Sequence, residues 1–117
     1  MRPLSRTKAR KILREIIREL PERRNPQDET GISCVYHNGG RGRSVRRCLI
    51  GEMGHRAGLP RPTANVSATD LMTRGDWRGL VDPGIIIDLN HIQRVADGHD
   101  TPRAWGSPEV RAAVREL

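Results

Sequence analysis

The sequence predicts an α+β fold that is mainly helical, with three or four helices and one small β-hairpin in a single domain spanning residues 1–117. Three observations predict it. Apolar residues recur at helical spacing in several stretches bounded by capping residues, prolines and glycines. One segment, 32–37, has strand composition and runs into a glycine-rich turn. The chain is 35% apolar with no Phe, one Tyr and two Trp, which leaves one modest, largely aliphatic core.

The clearest element is a helix over residues 5–20. Ala9, Ile12, Leu13, Ile16, Ile17 and Leu20 form its stripe, Ser5 can cap its start and Pro21 stops it. Arg6, Arg10, Arg14 and Arg18 recur at a spacing of four on its polar side. Like charges at that spacing repel slightly, and Glu15 and Glu19 offset part of the repulsion. The row reads either as a solvated face or as a contact row for a polyanion.

Residues 21–31 are polar and read as a loop. Segment 32–37 and segment 44–47 can pair as a hairpin around the turn Asn38-Gly39-Gly40-Arg41-Gly42-Arg43. Its tip and return strand carry Arg41, Arg43, Arg46 and Arg47. Gly-Arg segments of this kind can lie along a narrow minor groove, where the potential is most negative. Residues 48–57 form a short helix with Leu49, Ile50, Met53 and Ala57 on one side. Its Gly51 and Gly54 cost about 1 kcal/mol each relative to Ala, which suggests that another backbone packs close. Gly58 ends it, and Pro60 and Pro62 enforce a loop.

Residues 63–84 are the least legible, with a single turn through Leu71 and Met72 capped by Thr69 or Asp70. Arg74-Gly75-Asp76 spells an adhesion tripeptide, a coincidence in a chain where no export signal is evident. Asp82-Pro83 opens the next helix, with Ile85, Ile86, Leu89, Ile92, Val95 and Ala96 buried and Gly98 at its end. Ser107-Pro108 opens the last one, whose apolar face is Val110, Ala113, Val114 and Leu117.

The net charge of +7 is unevenly distributed. Residues 1–61 hold 15 Lys and Arg against 6 Asp and Glu, and residues 62–117 hold 6 against 8. Nineteen of the 21 basic residues are Arg, the side chain that grips phosphate and carboxylate bidentately. A one-sided excess creates a field that attracts phosphate backbones or acidic proteins. No apolar run approaches the length of a membrane span, and no membrane partner is expected. No secretory signal is evident, so a cytoplasmic location is expected.

Cys34, His37, Cys48 and His55 invite a zinc reading, but only the first pair has ligand spacing, so packed thiols or an occasional disulfide are the competing readings. His91, Asp97, His99 and Asp100 could be drawn as an acid/base cluster. No nucleophile elbow or phosphate loop accompanies them, and no cofactor is expected.

The segments Cys34-Val35-Tyr36, Cys48-Leu49-Ile50-Gly51, Gly58-Leu59-Pro60 and Trp105-Gly106 resemble a core found in small actinobacterial and actinophage proteins of unknown function. The resemblance covers about a third of the chain. It implies a phage or mobile-element accessory role and supplies no activity.

Two functions follow as expectations. One is a nucleic-acid-binding accessory or regulatory protein that engages DNA, with RNA also open, through Arg41, Arg43, Arg46 and Arg47 of the hairpin and Arg10, Arg14 and Arg18 of the first helix. The alternative is a protein-interaction module for an acidic host protein. Scarce aromatics argue against base stacking on single strands, and the first helix could also pair with its own copy as a homodimer.

Overall fold

A computed structural model describes residues 2–26, 47–63 and 66–117. Those residues build five α-helices: α1 (Arg6–Glu19), α2 (Leu49–Arg56), α3 (Ala68–Thr73), α4 (Ile86–Asp97, entered through a 3-10 turn at Pro83–Ile85) and α5 (Pro108–Arg115). The α+β expectation is therefore corrected to a helical fold, because no strand or sheet occurs among the described residues. Their one extended pairing is an isolated parallel bridge between Leu4 and Val81. Nearly all of the expected hairpin, residues 32–46, lies outside the described residues. Arg47, the one hairpin position inside them, lies in no strand and immediately precedes Cys48, the N-cap of α2.

The first helix forms for the reasons its sequence supplies. Ser5 accepts a hydrogen bond from the Lys8 amide at 3.2 Å, closing the first turn. Ala9, Ile12, Leu13, Ile16 and Ile17 are buried along one side. That side packs against α2 and α5, while α4 packs against α2, α3 and α5. Trp77 and Trp105 are completely buried in the same core, and large aromatic rings there replace much aliphatic packing.

The segment that was least legible is ordered by Ser67, not Thr69 or Asp70. The Ser67 hydroxyl caps α3 by accepting from the Asp70 amide at 3.1 Å. Ahead of α4, the Asp82 carboxylate accepts from the Gly84 amide at 2.9 Å. Ile85, Leu89, Ile92 and Ala96 are buried as expected, Ile86 and Val95 only partly, and Gln93 joins them at 2% exposure.

Gln93 is buried because α2 begins inside the protein. The first amides of a helix have no intrahelical partner, and burying them unpaired is costly. Three side chains meet them here. Asn25 Oδ1 accepts from the Leu49 amide at 2.8 Å, Gln93 Oε1 from Ile50 at 3.2 Å and Cys48 Sγ from Gly51 at 3.4 Å. Asn25, 3% exposed, also accepts from Trp105 Nε1 at 2.9 Å and donates to Asp97 Oδ1 at 2.7 Å. One amide side chain thus joins the loop after α1, the start of α2, the end of α4 and the loop before α5.

The glycine at position 54 is explained by a side chain rather than by a neighbouring backbone. A Cβ built there would sit 2.2 Å from the Trp77 ring, so the indole packs this closely against α2 only because no side chain is present. Gly98, at φ 71°, ends α4, in the left-handed region that favours glycine.

Candidate functional site

The arginine row of α1 divides in two. Arg6 donates through Nη1 to Asp88 Oδ2 and through Nη2 to the Gly84 carbonyl, each at 3.0 Å. Arg10 donates through Nη2 to the Leu117 carbonyl, while its Nε is buried with no hydrogen-bond partner among the described residues. Both side chains tie α1 to later parts of the chain. Arg14 and Arg18 point instead into a groove between α1 and α5, and both are exposed.

The opposite wall of that groove carries Arg111 and Arg115, also exposed. Ile17, Pro21 and Val114 form its floor. The two walls face each other because the apolar faces of α1 and α5 pack together. Each wall is an Arg pair spaced by four residues, or about 6 Å along a helix axis. The ion pairs among the described residues are Arg6–Asp88, Arg47–Glu52, Arg56–Glu52, Arg56–Glu19 and Arg74–Asp70. None involves the four groove arginines. Arg18 and Arg115 lie in the last turns of their helices, where a cation complements the helix dipole. Arg14 and Arg111 have no such local role.

The groove therefore gathers four positive charges that form no ion pair among the described residues, above a nearly closed apolar floor. Ile17 is 7% exposed and Val114 1%. Such a surface can take up an anion with several oxygens through charge-assisted, bidentate hydrogen bonds.

Of the arginines expected to form a contact surface, Arg14 and Arg18 are brought together here. Arg10 is drawn away to a backbone carbonyl. Arg47 is half-buried, with Nη1 3.4 Å from Glu52 Oε1. Glu52 also holds Arg56, whose Nε lies 3.3 Å away. Burial alone would lower the pKa of the Arg56 guanidinium, but hydrogen bonds and attraction from Glu19 and Glu52 outweigh it and raise the pKa. Arg41, Arg43 and Arg46 lie outside the described residues. Arg111 and Arg115 were missed because they fall in a half of the chain with a small acidic excess. Their spacing of four beside the Val110, Ala113 and Val114 face was the available signal.

The other candidates resolve differently. Cys48 is buried, with its sulfur turned to the start of α2, and His55 is exposed. Cys34 and His37 lie outside the described residues, among which no three His, Cys, Asp or Glu side chains gather as a metal centre would. Asp97 is engaged with Asn25 rather than with His91 or His99. Burial raises its pKa, and the Asn25 hydrogen bond pulls it part of the way back. His91 and His99 lie with Arg94 and Arg103 around the end of α4, where Arg103 Nη1 donates to the Val95 carbonyl at 2.6 Å. Arg103 thus satisfies carbonyls in the last turn of α4, through its guanidinium to Val95 and its backbone amide to Ala96. No helix among the described residues is long and apolar enough to cross a membrane.

Comparison with protein-family models, with curated proteins and with solved structures found no match.

Proposed function

We propose that this chain is a small nucleic-acid-binding accessory or regulatory protein that holds a phosphate backbone in the α1–α5 groove. The observation that carries this reading is the quartet Arg14, Arg18, Arg111 and Arg115, four exposed guanidiniums around one groove without an acidic partner among the described residues. Like charges brought together cost free energy, and a polyanion recovers it by releasing its counterions. The net charge of +7 adds long-range attraction. The resemblance to small actinobacterial and actinophage proteins of unknown function supplies no activity, and the accessory role it implies is compatible with this reading.

An acidic host protein is the weaker reading of the same groove. Protein interfaces draw most of their affinity from buried anchors, and the floor residues Ile17 and Val114 are already covered by their own helices.

The test is a gel-shift series with duplex DNA, single-stranded DNA and RNA at rising salt, using the full chain and its Arg111→Ala/Arg115→Ala variant. Binding at low salt that weakens with salt, and weakens further in the variant, is expected. Absence of binding to all three at low salt refutes the reading.

A further inference from the structure

We infer that the groove takes double-stranded DNA by its backbone, without reading bases. This rests on the nucleic-acid reading above and narrows its substrate. The first support is what surrounds the cations. Proteins that hold single strands without sequence preference combine a basic groove with aromatic platforms for the bases. Both tryptophans are fully buried, and both indole N–H groups are occupied, Trp77 by the Pro60 carbonyl at 2.7 Å and Trp105 by Asn25 at 2.9 Å. Among the described residues no tryptophan, tyrosine or phenylalanine ring is left to stack on a base, and the exposed His55, His91 and His99 do not line the groove.

The second support is size. Packed helices lie about 8–10 Å apart and each is about 10–12 Å across, so the α1–α5 pair is roughly 20 Å wide. A major groove is about 12 Å wide and admits one helix. With arginines flanking the seam of two helices, the seam fits over a phosphodiester ridge and not inside a groove. Arg14 and Arg18 then reach phosphates from one side, and Arg111 and Arg115 from the other. A duplex presents these charges on a stiff frame at about one per 1.7 Å of axis, so little ordering is needed on binding.

The third support is donor chemistry. The groove lining is Arg, Ile, Pro and Val. Guanidiniums only donate, so the lining would meet a 2′-hydroxyl as it meets a phosphate oxygen and offers no side-chain acceptor for that group's proton, which leaves it without the two-way contact by which proteins can favour RNA.

The experiment is fluorescence anisotropy of the full chain with a duplex DNA, its separate strands, a shuffled duplex and an RNA duplex of the same sequence. Duplex DNA should bind at least about tenfold tighter than either strand, since no stacking compensates the strand's flexibility. The shuffled duplex should agree within about threefold, the mark of backbone binding. Four phosphate contacts give a slope of log affinity against log salt of about −3.6, falling to about −1.8 in Arg111→Ala/Arg115→Ala and equally in Arg14→Ala/Arg18→Ala. A single strand or RNA duplex that binds as tightly as duplex DNA overturns the inference and leaves the nucleic-acid reading standing. Failure of every ligand to bind overturns both.

Discussion

Arg6 and Arg10 stand on the same helix as Arg14 and Arg18, at the same spacing, and do different work. The first pair reaches Asp88 and the carbonyls of Gly84 and Leu117. The second pair faces two more arginines on α5 across a groove. Spacing puts all four on one side of α1, but the elements that pack beside each turn decide their use. Where acceptors stand beside the helix, an arginine becomes a tether. Where the neighbouring helix brings more arginine, it stays available to a ligand.

That contrast can be broken by substitution. The largest effect belongs to the groove: Arg14→Ala/Arg18→Ala should lower duplex DNA affinity on the order of tenfold to a hundredfold at low salt, from the loss of two charge-assisted contacts. Its melting temperature should stay within about 2 °C of wild type, as expected for exposed side chains that form no ion pair. A large loss of stability instead would make the pair structural. Arg10→Ala should behave in the opposite way. It gives up a hydrogen bond from a charged donor but also removes a buried, unbonded Nε, for a net loss of about 1 kcal/mol or about 4 °C. Its salt slope in DNA binding should match wild type. Arg6→Ala is the smallest of the three, at about 0.5 kcal/mol, because the Arg6–Asp88 pair is nearly half exposed to screening water. Thermal melts at low and high salt should show the Arg6 difference shrinking as salt rises.

The helices with caps and stripes were legible in the sequence. Ser5, Asp82-Pro83 and Ser107-Pro108 announce their starts locally, and the face of α1 is buried as its periodicity predicts. The α3 cap was misplaced because Ser67, Thr69 and Asp70 are all acceptable acceptors, and only the backbone path selects one. Half of the groove was legible as an arginine row. The other half was not, because periodicity shows which face of α5 is buried but not which helix covers it. The loop residue Asn25 carries no local signal at all. Its three partners lie 24, 72 and 80 residues away.

One of those partners offers a pH test. Burial raises the pKa of Asp97 above its ordinary 3.8, so its ionisation weakens the folded state. The stability it contributes is complete below about pH 3.8 and is lost as pH rises through the raised value. Asp97→Asn keeps an oxygen for the Asn25 amide and removes that charge. It should melt slightly higher than wild type at pH 7, and the gap should close as melts are repeated toward pH 4. A variant that is less stable than wild type at every pH would show that the carboxylate's charge is favourable where it stands.

The Asn25 junction also has a consequence in time. During synthesis, residues 2–26 and the start of α2 emerge well before Asp97 and Trp105. Until those arrive, Asn25 can meet the Leu49 amide but not its other partners, Gln93 is not there for Ile50, and Trp77 has yet to lie against Gly54. Helical proteins usually owe fast folding to contacts between near neighbours in sequence. This one closes the base of its second helix with residues from its last third, so folding should await nearly the whole chain and then proceed as a single event. A fragment ending before Asp97 should show little stable α2, even though every residue of that helix is present.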